Sequence, residues 1–160
     1  MTETPNKQAG PRRRSASRLA AVQALYELEM SEAPLDDILV EFLQKRWDLQ
    51  GDTPEGKLAD PDKELFIKIV RGVAENTDKV SEMVSGALSE EWKIERLEKV
   101  LKNILISGAF ELHNLRDVPP KVIISEYVDI AKAFFSGGEP SMVNGVLDRL
   151  ARLLREEEFT

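Results

Sequence analysis

The chain has 160 residues, which is enough to bury one good core or two small half-bundles that share an interface. It contains no cysteine, so disulfides and thiolate metal sites are excluded. The net charge of −7 is uneven, because residues 1–18 carry +4 and the remainder therefore carries −11. A basic segment on an acidic body predicts a local contact with a polyanion. No apolar signal segment follows Met1, and we expect a cytoplasmic protein without a membrane anchor.

The N-terminal segment combines an irregular stretch with a group of arginines. Residues 1–11 lack periodic apolar positions and contain two prolines and a glycine, which predicts a disordered extension. A helix is expected from about Ser15. The arginines at this boundary resemble an arginine-rich RNA-binding element, because guanidinium groups make forked contacts to phosphate and stack on bases. They are Arg12, Arg13, Arg14 and Arg18. A solvated basic arm is the alternative.

Two segments follow in which apolar residues recur at helix spacing. Pro34 suits the first turn of a second helix that continues to Trp47. The stretch 48–59 has two glycines and little to bury, so it is predicted to be a flexible loop. Asp60 and Pro61 then predict the start of a third helix.

The apolar pattern over 97–112 predicts a central core helix, preceded by a fourth helix that Asn76 or Thr77 can cap. Ile106 adds apolar surface outside the main stripe, which indicates that the second half of the helix is covered on more than one side. A glycine in a helix interior costs roughly 1 kcal/mol relative to alanine. Gly108 therefore predicts a close helix crossing.

Two further helices complete the predicted fold. Pro119 and Pro120 begin one, and the last carries apolar residues from Met142 to Leu154 before an acidic tail at 156–160. No segment alternates with period two for long enough to predict a strand. The sequence thus predicts an all-α fold of about seven helices, with one helical domain over 12–155.

The residues offer little for catalysis or metal binding. His113 is the only histidine and has no motif around it, so neither a hydrolytic triad nor a zinc site is expected. Gly137 and Gly138 are not followed by the Lys-Ser or Lys-Thr pair of a phosphate-binding loop. Glu126 and Asp129 share a helix face, and we interpret them as solvated or ion-paired carboxylates. We expect no catalytic residue, no metal and no cofactor.

Several blocks of the sequence, in order and spacing, resemble the NusB family of bacterial transcription antitermination factors. The central helix ends in the sequence Phe110-Glu111-Leu112, as in that family. The other matching blocks are Arg18 with AAVQALYELEMS (20–31), VRGVAENTDKV (70–80), DVPPKVIISEYVDIAKAF (117–134) and MVNGVLDRLA (142–151).

The resemblance implies a fold of two small packed helical bundles and a function without enzymatic activity. Members pair with NusE, a ribosomal protein of the small subunit. The pair binds the boxA element of nascent ribosomal RNA and assembles an antitermination complex on RNA polymerase. Whether the chain alone is a monomer or a homodimer stays open.

Residue roles follow from the same resemblance. It assigns RNA contact to the four arginines and Tyr26, to the helix start at Asn76 and Thr77, and to a region around the last helix connection. We expect the protein partner to dock on the central and neighbouring helices, with Leu101 and Ile106 at this surface. Ile106 stands where the family commonly has an arginine, and it is either packed in the core or a partner contact, of which we favour the partner contact. Met142 replaces a phenylalanine and removes an aromatic ring for base stacking. The residues of the last region are Phe134, Ser141, Met142 and Asn144.

The sequence leaves two alternatives open. One is a helical protein-interaction module whose basic arm is solvated. The other is a detached relative of the RNA-recognition domain of RNA cytosine methyltransferases. That alternative requires a cofactor-binding Rossmann domain, which these 160 residues do not contain.

Overall fold

The computed structural model describes the backbone over residues 3–46 and 62–159, and side chains over 12–44 and 62–158. The predicted flexible loop at 48–59 lies outside the described residues, as do Trp47, Asp60 and Pro61.

Seven α-helices make up most of the described chain, which contains no strand, so the all-α prediction is confirmed. The helix Leu35–Val40 runs directly into a π-helical segment, Glu41–Arg46. The helices are α1 (Glu3–Met30), α2 (Leu35–Val40), α3 (Lys63–Glu75), α4 (Thr77–Ala87), α5 (Lys99–Asn114), α6 (Pro120–Phe134) and α7 (Glu139–Leu154).

Helix α1 begins at Glu3, well before the start predicted near Ser15. Residues 3–11 are therefore helical, where the sequence predicts an irregular extension. Burial anchors α1 from Ser17 onward, and each residue added to an existing helix gains a backbone hydrogen bond without a new nucleation cost. Periodicity of apolar residues detects only the packed part of such a helix.

The chain divides into two compact units, the first being Met1–Arg71. Its described core is formed by small residues of α1 and by larger apolar residues of α2, the π-helical segment and α3. The rings of Phe42 and Phe66 stack at a centroid distance of 5.6 Å. Other buried members are Ala21, Val22, Ala24, Leu25, Ile38, Leu39, Ile69 and Val70.

The second unit, Gly72–Thr160, is built around α5. Helix α5 packs against α4, α6 and α7, and every residue from Asn103 to Leu112 is buried. This confirms that the central helix is covered on more than one side. A Cβ atom placed on Gly108 would lie 2.8 Å from Cδ1 of Leu147 and 3.3 Å from the ring of Tyr127. The predicted close crossing is therefore present.

Two of the helix starts, those of α5 and α3, are capped by carboxylates. The Oε1 atom of Glu98 accepts hydrogen bonds from the N–H groups of Val100 at 2.8 Å and Leu101 at 3.3 Å. At the start of α3, Oδ1 of Asp62 accepts from the N–H of Leu65 at 3.2 Å. Side-chain oxygens at these positions satisfy backbone donors that have no partner within the helix.

The C-terminal segment is anchored by Arg155, whose side chain is fully buried. Its guanidinium group donates to the carbonyl oxygens of Glu111, Leu112, Leu115 and Val118. Burial lowers the pKa of Arg155, while the nearby carboxylate of Glu158 raises it. This charged residue is thus the donor that satisfies carbonyl oxygens at and just after the end of α5. A short 3₁₀ segment, Glu156–Phe159, follows.

Candidate nucleic-acid interface

The arginines at the start of the described side chains lie on α1. Arg12 and Arg14 are exposed, and neither guanidinium group forms a hydrogen bond or ion pair with a residue that the structure describes. Arg13 is partly exposed. Two guanidinium groups are thus available to solvent on one helix, each with donors in a fixed planar fork that matches phosphate oxygens.

The turn of α1 that carries these arginines is tied to the start of α3. Ser17 is fully buried, and its hydroxyl donates to the carbonyl oxygen of Asp62 at 2.6 Å. The N–H of Asp62 in turn donates to the carbonyl oxygen of Arg13 at 3.3 Å. These bonds join residues distant in sequence, so Arg12 and Arg14 extend from an anchored turn of helix.

Arg18 does not join the exposed arginines. Its side chain is only 2% exposed, and it interacts with other groups within the fold. Arg14 and Arg18 are four positions apart and therefore lie near one face of α1. From Ser17 onward α1 enters the core, where Ala20 and Ala21 are also buried. Tyr26, farther along α1, is half-buried.

Asn76 and Thr77 are both exposed at the junction of α3 and α4. Neither side chain caps α4 in the way the sequence predicts. The Nδ2 atom of Asn76 donates to the carbonyl oxygen of Gly72 at 2.8 Å, and the Thr77 hydroxyl donates to that of Val73 at 2.9 Å. Both side chains therefore satisfy carbonyls at the end of α3, and the first N–H groups of α4 receive no side-chain cap from Asn76.

The remaining RNA candidates lie around the short connection from α6 to α7. Phe134 is 44% exposed, and its ring centroid lies 6.4 Å from that of Phe135 at a tilted angle. Ser141 and Asn144 are exposed on the first turns of α7, and Met142 is half-buried. An exposed aromatic ring beside polar side chains is an arrangement on which a nucleic-acid base can stack.

The partner residues predicted on α5 are buried. Leu101 is 2% exposed and Ile106 is 3% exposed. The expectation that Ile106 adds exposed apolar area to a docking surface is wrong, because its side chain is already packed. An apolar residue outside the main apolar stripe of a helix indicates that this part of the helix surface is buried. The sequence alone does not show whether residues of the same chain or of a partner protein bury it.

A groove between α6 and α7 was not predicted. It has a volume of about 320 Å³, and its polar lining comes mainly from one face of α6 with two residues of α7. The signal in the sequence is a set of polar residues on α6 at spacings of one helical turn, which looks like an ordinary solvated face. The main polar lining residues are Lys121, Ser125, Asp129, Lys132, Asn144 and Asp148.

Two classes of site find no support among the described residues. No group of three His, Cys, Asp or Glu side chains there lies close enough to hold a metal ion. None of the described helices is both long and apolar enough to span a lipid bilayer.

Comparison with known proteins gives the family. The NusB family matches residues 15–152. Transcription antitermination protein NusB of Brucella melitensis is 44% identical over 154 residues, which cover 96% of this chain and 89% of the relative. The chain belongs to the NusB family.

Solved structures of NusB proteins share the fold. NusB from T. maritima aligns with a TM-score of 0.73 at 30% identity, over 91% of this chain and 96% of that one. A chain in the structure of antitermination factors NusB and NusE in complex with dsRNA aligns with a TM-score of 0.69 at 22% identity, over 87% and 96% of the two chains. Arg12 and Arg14 precede the family match, whereas the other candidate positions from Arg18 onward lie within it.

Proposed function

We propose that this NusB family member is an RNA-binding adaptor in transcription antitermination, which pairs with NusE to bind the boxA element of nascent ribosomal RNA. The observation that carries the proposal is the pair of exposed arginines, Arg12 and Arg14, on a helix turn anchored through Ser17 and Asp62. An anchored turn loses little conformational freedom on binding, so more of the contact energy appears as affinity.

The comparisons support the class of function and of partner. Relatives 44% identical to this chain are named transcription antitermination proteins. A structural neighbour was solved with NusE and double-stranded RNA. Assembly of the resulting complex on RNA polymerase belongs to the same proposal.

The charge distribution favours joint binding. Outside the first 18 residues the chain carries −11, which repels phosphate at long range. A basic ribosomal protein bound to this acidic surface neutralises the field and supplies phosphate contacts of its own. RNA affinity is therefore expected to rise when NusE is present.

The test is a titration of boxA RNA at several salt concentrations, with and without NusE. Replacing both Arg12 and Arg14 with alanine should weaken binding. It should also reduce the slope of log affinity against log salt by about 1.4, because each phosphate contact to a single strand contributes about 0.7. The control replaces Lys68 and Lys93, two exposed lysines outside the candidate surfaces, and removes the same charge.

Three results would count against the proposal. They are absence of boxA binding with and without NusE, binding without salt dependence, and equal losses in the arginine and lysine variants. NusE binding without any RNA binding would favour a helical protein-interaction module.

A further inference from the structure

The exposed arginines of α1 lie on a part of the helix that is not packed into the core. No side chain from Arg12 to Ala16 is buried, whereas Ser17 is completely buried. Segments with few buried contacts open locally at a low cost in free energy. The direction in which Arg12 and Arg14 are presented therefore depends on how the turn before Ser17 is held.

Ser17 forms a hydrogen bond that its own helix does not require. Its hydroxyl lies 3.0 Å from the carbonyl oxygen of Arg13, which is the acceptor that a serine inside a helix ordinarily uses. It lies closer, at 2.6 Å, to the carbonyl oxygen of Asp62 at the start of α3. Alanine is the better helix former, so helix propensity does not account for a buried serine at this position. What the hydroxyl adds is a bond between two helices.

Asp62 connects this bond to the core of the first unit. Its N–H donates to the carbonyl oxygen of Arg13 at 3.3 Å, and its carboxylate caps α3 at the N–H of Leu65. Its carbonyl oxygen also accepts from the N–H of Phe66 at 3.1 Å. Phe66 is completely buried, and its ring stacks on that of Phe42. The turn of α1 that carries the arginines is thus joined through one residue to the packed core.

Such a connection affects affinity without any contact to the ligand. The apparent affinity of a protein is reduced by the fraction of molecules that are not in the binding conformation. Bonds that hold the turn in place keep this fraction small before RNA arrives. Loss of one hydrogen bond changes an equilibrium of this kind by about three- to tenfold.

We propose that Ser17 and Asp62 are positioning residues, whose mutual bonds form an α1–α3 link that holds Arg12 and Arg14 in the direction needed for RNA binding. The inference rests on the proposed RNA-binding function. It adds to that function two residues that determine RNA affinity without touching RNA.

The test measures the affinity of Ser17→Ala for boxA RNA in the presence of saturating NusE. The affinity should fall by about three- to tenfold. The slope of log affinity against log salt should stay the same, because Arg12 and Arg14 still contact phosphates in the complex. Hydrogen exchange of the Asp62 amide in the free variant should be faster, because its acceptor on Arg13 is no longer held in place.

The matched control is Ser107→Ala. It removes the hydroxyl of another completely buried serine in a helix, and this hydroxyl has no hydrogen-bond partner. The two variants gain the same helix propensity. Only Ser17→Ala should lose RNA affinity, whatever each substitution does to thermal stability.

Two substitutions of Asp62 test the other half of the link. Asp62→Asn and Asp62→Ala remove the same negative charge, but asparagine is a good helix cap and alanine is not. Asp62→Ala should therefore bind boxA RNA about twofold or more weakly than Asp62→Asn. When Asp62→Ala is combined with Ser17→Ala, the loss should be smaller than the product of the two separate factors, because both changes weaken one link. Circular dichroism establishes that each variant is folded, and the Asp62 pair decides the question if Ser17→Ala is not.

The outcomes separate the link from the proposed function. If Ser17→Ala and Ser107→Ala bind boxA RNA equally while the Arg12 and Arg14 variant loses binding, the link is wrong and the function stands. A salt slope that falls in Ser17→Ala as it does in the arginine variant also overturns the link, and so do equal affinities of the two Asp62 variants. Absence of RNA binding by the unaltered protein removes the function itself.

Discussion

The hydroxyl of Tyr127 on α6 donates a hydrogen bond of 2.6 Å to Oε2 of Glu111 on α5, and both residues are completely buried. A carboxyl group placed in a core without enough donors is strongly unfavourable, so this bond links the two helices and also allows the Glu111 side chain to be buried there. The family resemblance includes Glu111, but the spacing of apolar residues gives no sign of its partner sixteen positions later.

Removing this hydroxyl should destabilise the protein. Tyr127→Phe keeps the ring and leaves Glu111 short of one donor, and a hydrogen bond to a charged group contributes about 1.5–3 kcal/mol. Urea unfolding measures the destabilisation. The control is Tyr26→Phe, which removes the same atom from a half-buried tyrosine that has no hydrogen bond to a described residue. Similar unfolding free energies for the two variants would contradict the assigned role.

Arg155 holds the end of the chain to the end of α5. Arg155→Ala removes the donors of four carbonyl oxygens at once, and we expect the free energy of unfolding to fall by at least about 3 kcal/mol. Arg152→Ala is the matched control, because its exposed pair with Asp148 should contribute about 0.5 kcal/mol or less.

Arg155→Lys refines this test. Lysine keeps the charge but lacks the planar fork that reaches several carbonyls together, so its stability should lie between that of the alanine variant and that of the unaltered protein. Full stability of the lysine variant in chemical denaturation would show that charge alone, without the fork geometry, is sufficient.

Gly72 lies directly against the buried ring of Phe110. A Cβ atom on Gly72 would overlap three atoms of that ring, and Phe110 is only 5% exposed. Gly72→Ala should therefore cost about 1–3 kcal/mol through overpacking. In Gly86→Ala the new methyl group meets nothing within 4 Å, so this variant should gain up to about 1 kcal/mol from helix propensity. Calorimetric melting temperatures should move in opposite directions, and a parallel shift would disprove the packing argument.

Local patterns in the sequence predict most of the fold. Helix periodicity depends on residues within a few turns of one another, and it correctly predicts α5 with its close crossing at Gly108. Proline at a first turn likewise predicts α6 from Pro120. The start of α1 is not predictable in this way, because a helix extended from a packed region needs no apolar stripe of its own.

The candidate interface is less predictable, since exposure depends on distant parts of the chain. Arg12 and Arg14 are exposed as a basic arm requires, but Arg18 has the same chemistry and is buried. Ile106 is buried for reasons that its own helix does not reveal. The α6–α7 groove requires two helices to meet, and one helix alone presents only a polar face.

The final prediction concerns coupling between the RNA and the protein partner. If NusE raises the affinity of this chain for boxA RNA by some factor, thermodynamic linkage requires boxA RNA to raise its affinity for NusE by the same factor, typically about 5–150-fold. If the coupling arises, as proposed, from neutralising the charge of −11 outside residues 1–18, it should shrink as salt screens the charges, over a Debye length of about 10 Å at 0.1 M. Calorimetric titrations along both orders of addition measure the four affinities, RNA with and without NusE and NusE with and without RNA, at low salt and again at high salt. A coupling factor of one at low salt would show that the two partners bind independently, and a factor unchanged by salt would show that direct contacts, rather than charge neutralisation, connect them.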